Sequence, residues 1–171
     1  MTSAEGFRRG IRLGIDVGSV RVGVARSDPD GLLAVPVATL ARPKAVAAGR
    51  PDLRELVELV AEYEPLEVVV GLPVALDGTE GLAAETVRVY AHDLMGMLTE
   101  RGLGVPVRLV DERMTTAEAT RSLQAAGRNS RSGRSVIDQA AAVIIVQHAL
   151  DTERATGTPP GALLTPSEDT P

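Results

Sequence analysis

The sequence predicts an α/β fold with a mixed, five-stranded sheet flanked by helices. Two observations lead there. Three extended segments come first, over 11–17, 21–27 and 33–40. Strand and helix patterns then alternate, the order that builds parallel crossovers beside an antiparallel hairpin.

In the first strand, Ile11, Leu13, Ile15 and Val17 share one face, and Arg12, Gly14, Asp16 and Gly18 share the other. Gly18-Ser-Val20 reads as a turn and Arg21–Ser27 as the returning strand. Pro36 pushes the 33–40 segment to a sheet edge. Asp52 is placed to cap a helix whose stripe is Leu53, Leu56, Val57 and Val60, ended by Pro65. Glu67–Leu72 is short and almost wholly apolar, the pattern of a central parallel strand.

Asp77-Gly78 marks a turn, with Thr79 as the expected cap of a helix to about Arg101. Val105–Val110 is the fifth strand, followed by Asp111-Glu112. Thr115-Thr-Ala-Glu118 is a capping box, so a helix is expected to about Ala126. Residues 127–135 read as a basic flexible loop, and a final helix is expected from Val136 to about Arg154 with Asp138 in its first turn. The expected organisation is a flexible N-terminus over 1–10, one domain over 11–154 and a disordered tail over 155–171.

The chain has 171 residues and no cysteine, which excludes disulfides and thiolate-rich zinc sites. No apolar run reaches the ~20 residues of a membrane span. Residues 1–10 lack the apolar core of a signal peptide. A cytoplasmic location without membrane attachment is therefore expected. The net charge of -5 argues against a generic basic nucleic-acid binder, but five arginines against one acid between Arg113 and Val136 make a local basic segment. Arginine forks match phosphate. Phe7, Tyr63 and Tyr90 are the whole aromatic complement, so any nucleic acid is expected to be read by backbone and shape.

Asp16, Asp111-Glu112 and Asp138 stand at the ends of core elements, where a desolvated carboxylate needs compensation. Carboxylates from separate elements can hold hard divalent cations, and paired cations promote phosphodiester hydrolysis. Three of the acids alone have a structural explanation: a helix-dipole partner for Asp138, a strand-end loop for Asp111, an ion pair for Glu112 with Arg113; Asp16 has none as plain, because a strand of apolar residues and glycines has little reason to carry it. The combination carries the argument. The loop from Gly71 through Gly78 and Thr79 is a candidate phosphate cradle, or simply a turn with a helix cap. His92 and His148 lie far apart and read as ordinary surface or core residues.

The blocks Gly-Ile-Asp16-Val-Gly-Ser-Val-Arg21, Val-Val-Gly71-Leu-Pro, Asp77-Gly-Thr-Glu-Gly, Val-Asp111-Glu-Arg-Met-Thr-Thr and Asp138-Gln-Ala-Ala-Ala-Val resemble the YqgF family across about residues 11–150. The resemblance implies a ribonuclease-H-like fold and kinship with Holliday-junction resolvases. It also implies a nuclease acting on the 5′ end of pre-16S ribosomal RNA.

By the same resemblance Asp16, Glu112 (with Asp111 beside it) and Asp138 are the catalytic, metal-holding acids for Mg²⁺ or Mn²⁺. The resemblance also carries over Arg113, and Arg21 lies in its first block; both are expected nucleic-acid contacts. Arg128, Arg131 and Arg134 are expected contacts from the basic segment itself, which otherwise reads as a solvated mobile loop. Two positions depart from the family pattern: Ala75, where a polar residue is usual, and Arg134-Ser135, where lysine is usual. The implied partner is precursor ribosomal RNA or branched DNA, with a homodimer expected for resolution of a junction. Two other readings compete. One is an ATPase using the Asp-x-Gly-Ser turn, which would need a second lobe. The other is a non-catalytic RNA- or ribosome-binding protein.

Overall fold

The computed structural model describes residues 6–43, 49–112 and 131–166, with side chains in the last range from residue 139 onward. Its strands are β1 (Arg12–Val17), β2 (Arg21–Ser27), β3 (Ala34–Ala41), β4 (Glu67–Leu72), β5 (Val107–Asp111) and β6 (Ala162–Leu163). The helices are α1 (Pro51–Tyr63), α2 (Leu82–Glu100) and α3 (Arg131–Thr156). The strands form one sheet in the order β3-β2-β1-β4-β5-β6. The β1–β4 and β4–β5 pairs are parallel, and the other pairs are antiparallel. As expected from Pro36, β3 is an edge.

The two sheet faces differ in chemistry. Leu13, Ile15, Val22, Val24, Val68 and Val70 face α1 and α2 in the main apolar core. Each fully buried aliphatic side chain there contributes ~1.5–3 kcal/mol. The opposite face carries α3 over two smaller apolar clusters. Ala142, Val146 and Leu150 pack on Ala25, while Ile145 and Ala149 pack on Val69 and Val110. Gly14 sets how closely the helix approaches, because a Cβ there would overlap Val146 Cγ2 and lie 3.3 Å from the Ala142 carbonyl oxygen.

A buried ionic clamp anchors the far end of α3. Glu153 is fully buried and accepts from the Arg8 and Arg12 guanidiniums. Glu67 at the start of β4 is also fully buried and takes Arg8 and Arg108, each at 2.8 Å. Burial pushes the Arg12 guanidinium down despite the attraction of Glu153. Burial also pulls on Arg8, but its hydrogen bonds to Glu67 and Glu153 leave it raised. The guanidiniums of Arg12 and Arg154 lie over the Phe7 ring, 4.9 and 4.2 Å from its centroid.

Several expectations are corrected. Residues 7 and 8 belong to this clamp rather than to a flexible terminus. A sixth strand comes from the segment expected to be a disordered tail. Gly161, at φ 67, approaches the Leu109 carbonyl too closely for any side chain, and Leu164 donates its N–H to Val107 O at 2.8 Å. Asp52 is not the cap of α1. Pro51 fits the first helical position and Arg50 takes the cap, while buried Asp52 accepts from the Tyr90 hydroxyl at 2.8 Å. Burial, then this bond, pushes the Tyr90 phenol upward. The cap of α2 is Gly81, not Thr79.

The α3 helix starts at Arg131, five residues before its expected start, because extending an anchored helix adds one hydrogen bond per residue. Arg131 and Arg134 are therefore helical rather than in a loop, and Asp138 lies in the helix interior. The helix expected over 115–126 lies outside the described residues.

Glu153→Ala leaves the Arg12 guanidinium buried without its nearest anion, and we expect a loss of ~3–5 kcal/mol in denaturant unfolding. Gly14→Ala should cost ~1–3 kcal/mol by overpacking. A melting temperature unchanged by both substitutions would refute this account of α3 docking.

Candidate functional site

The site is assembled at the C-terminal ends of the parallel strands, on the face covered by α3. Alternation along β1 gives Leu13 and Ile15 to the main core and leaves Gly14 and Asp16 facing α3. Asp16 is 2% exposed. Its partner across the β1–β2 ladder is Gly23. In the parallel ladder Ile15 pairs with Val70, so the next residues along are Asp16 and Gly71. Asp16 thus has a glycine on the strand to either side.

Glu112 follows β5 and is 1% exposed. Its N–H continues the ladder by donating to Leu72 O at 3.0 Å. Strands lie ~4.8 Å apart, so β1 and β5 are separated by two such spacings with β4 between. The Glu112 side chain reaches part of that way, to β4. A Cβ on Gly71 would overlap Glu112 Oε1 and come within 2.5 Å of Ile145 Cδ1. The Glu112 carboxylate therefore occupies the space that glycine leaves over β4, one strand from β1. Alternation gives Asp111 the opposite face, shared with Val107 and Leu109 of the main core. Glu112, the acid that the family resemblance names ahead of Asp111, is thus the one that shares a face with Asp16.

The backbone of α3 passes over the same level. Gln139 donates to Thr39 Oγ1 at 3.0 Å, and Thr39 is the ladder partner of Gly23, itself the partner of Asp16. Asp138 precedes Gln139 and stands one helical turn before Ala142 and two before Ile145, both sheet-facing. Arg21 is half-buried at the start of β2 and falls on the Asp16 face, two residues before Gly23. Arg113 and Arg128 lie outside the described residues. Arg131 and Arg134 are placed by backbone alone, in the first turn of α3.

Two carboxylates on one buried face are costly as anions, because desolvation and mutual repulsion both oppose charge. A divalent cation offsets both effects. The donor set is all oxygen, suited to Mg²⁺ or Mn²⁺. The cradle over Gly71 admits the longer acid, so the described residues fit such a group. Among them no cluster of three metal-ligating side chains occurs; of the three acids expected together, the side chains of two are described.

Gly71, Gly78 and Thr79 of the expected phosphate loop sit in different local surroundings. Gly71 is a buried strand residue whose role is to leave space for Glu112. Gly78, at φ 88, closes a tight turn to Ala75 O. Thr79 donates both its N–H and its hydroxyl to Asp77 Oδ1, at 2.9 and 2.6 Å. Those two donors are already committed to Asp77. The spacer function of Gly71 was missed; a lone glycine inside an otherwise apolar strand was its signal.

A family model described as "RuvX: Holliday junction resolvase" matches residues 10–152. A relative from Streptomyces coelicolor is 57% identical over 156 residues, spanning 91% of this chain and 88% of that protein. One from Nocardioides is 52% identical over 163 residues, spanning 92% and 98%. Both carry the name "Putative pre-16S rRNA nuclease". The solved structure of Thermus thermophilus RuvC with a Holliday junction substrate is similar in fold, with TM-score 0.53 at 18% identity over 88% of this chain and 99% of that one.

Gly71→Ala tests the cradle. It should displace the Glu112 carboxylate and lower stability by ~1–3 kcal/mol, read as a shifted denaturation midpoint. Wild-type stability would mean that the space over β4 is not needed.

Proposed function

The chain belongs to the RuvX family, and on that premise we propose that it is a metal-dependent endonuclease cleaving phosphodiester bonds in 5′-end maturation of pre-16S ribosomal RNA. The observation that supports this reading is that buried Asp16 on β1 and the buried Glu112 carboxylate over Gly71 of β4 lie on the same sheet face, above neighbouring strands. The names of the relatives supply the substrate class.

In this reading Asp16, Glu112 and Asp138 hold the metal. Each comes from a different element, so the rigid sheet and α3 set their spacing before substrate arrives. A bound Mg²⁺ or Mn²⁺ supplies Lewis-acid chemistry toward water and the phosphate oxygens. The surrounding Ile145, Val110 and Val69 exclude bulk water, which strengthens every charge interaction at the site. Arg21 sits on the same face to meet a phosphate beside the scissile bond. Arg113, Arg128, Arg131 and Arg134 contact the flanking backbone. Asp111, on the other face, is left out of the metal set.

The family description favours a second reading, in which branched DNA is the substrate and two copies of the chain act together. Precursor ribosomal RNA, single strands, hairpins and four-way junctions, each supplied with Mg²⁺ or Mn²⁺, separate the two. The first reading expects cleavage of the precursor RNA near its mature 5′ end and intact junctions.

Asp16→Asn should abolish cleavage by more than the ~10–100-fold typical of losing an outer-shell partner, while RNA binding persists. Chelation by EDTA should do the same to wild type. A variant that cuts at the wild-type rate would remove Asp16 from the chemistry.

A further inference from the structure

The far side of the sheet carries a second concavity that the acids do not use. It is a cleft of about 340 Å³ between the end of β3, the start of α1 and the outer stripe of α2. That volume lies at the small end of the ~300–1,000 Å³ range of ligand sites. We propose that this cleft holds one unpaired nucleotide of the substrate strand, its phosphate on Arg42 and Arg50 and its base against Leu82 and Val89. The inference rests on the nuclease reading and extends it to the flank of the scissile bond.

Two guanidiniums converge on one wall. Arg42 lies 5.1 Å and Arg50 5.9 Å from the centroid of the buried Tyr90 ring. Arg50 is also held by Asp93 at 3.0 Å. Its backbone is left-handed (φ 44, ψ 70), unusual for any residue with a side chain and more so before a proline. Ring and ion pair thus hold a strained residue's head group at the cleft. Guanidinium forks suit phosphate, and their flat faces accept a stacked base.

The opposite wall is apolar and open. Leu82 is 79% and Val89 56% exposed, two turns apart on α2. Between them Glu85 offers acceptors for the exocyclic amine of a base. Phosphate donors facing an apolar shelf with an acceptor match a nucleotide. A base still stacked in a duplex cannot enter.

The cleft is also joined to the catalytic end of β1. Arg42 donates from Nη1 to Gly18 O at 2.7 Å and from its backbone N–H to Val20 O at 2.8 Å. Gly18 is two residues beyond Asp16. A strand leaving the acids and crossing the β1–β2 turn meets Arg21, then Arg42, whose neighbour Ala41 is Arg21's ladder partner.

The test is fluorescence anisotropy of the full chain in EDTA, with a short single-stranded RNA and a blunt duplex of the same sequence across a salt series. Arg50→Gln and Val89→Glu should each weaken single-strand binding about tenfold, in the range of a lost stacking platform, and leave duplex binding unchanged. Arg50→Gln should also flatten the salt slope by ~0.7. Val89 is exposed, so Val89→Glu keeps the test valid should Arg50→Gln lower the melting temperature. Wild-type affinity and slope in both variants would overturn the cleft while leaving metal-dependent cleavage untouched. Cleft-dependent binding by a protein that cuts no substrate with Mn²⁺ would instead refute the nuclease reading and keep the cleft.

Discussion

The close approach of α3 to the sheet is the constraint on which the rest of the molecule depends. Gly14 admits Val146, and Gly71 admits both Ile145 and the Glu112 carboxylate. Side chains at either glycine would lift the helix. A lifted helix would carry residue 138 away from the level of Asp16 and open the acids to bulk water. At the other end, Glu153 ties the helix to Arg8 and Arg12, while Glu67 ties Arg8 and Arg108 to β4. The helix is thus fixed by steric fit at its middle and by charge at its base.

That arrangement divides labour between the two faces of one sheet. The α1/α2 face is a conventional aliphatic core and supplies most of the apolar burial. The α3 face is poor in large apolar side chains and holds Asp16, Glu112, Glu153 and Arg12 out of water. Buried charges contribute little net stability even when paired. The hydrophobic face therefore sustains the fold while the charged face is organised for chemistry. The same sheet belongs to a nuclease of the RuvX family: Asp16 and Glu112 lie toward the C-terminal ends of its strands on the α3 face, and Arg42 on the other side bonds the β1–β2 turn.

Much of the candidate site was legible in the chain. An acid at position 16 breaks an alternating apolar strand, and acids recur at a strand end and on an apolar helix, so Asp16, the 111–112 pair and Asp138 stood out. Choosing within the 111–112 pair was not possible locally, because which face a residue takes depends on the β4–β5 register and on the room above Gly71. Thr79 and Asp52 both looked like caps; each is instead claimed by a nearer or better-buried partner, Asp77 in one case and Tyr90 in the other.

By itself the sequence determined the strand and helix periods, the mixed sheet with β3 at its edge, and the acidic residues worth watching, because hydrophobic periodicity and turn chemistry act over a few neighbouring residues. Tertiary structure alone decided the sixth strand, the docking of the N-terminal residues in an ionic clamp, the early start of α3 and the opposite faces taken by Asp111 and Glu112. Each of these turns on contacts between segments far apart in the chain, whose energy depends on which atoms meet and how much space a missing Cβ leaves between them.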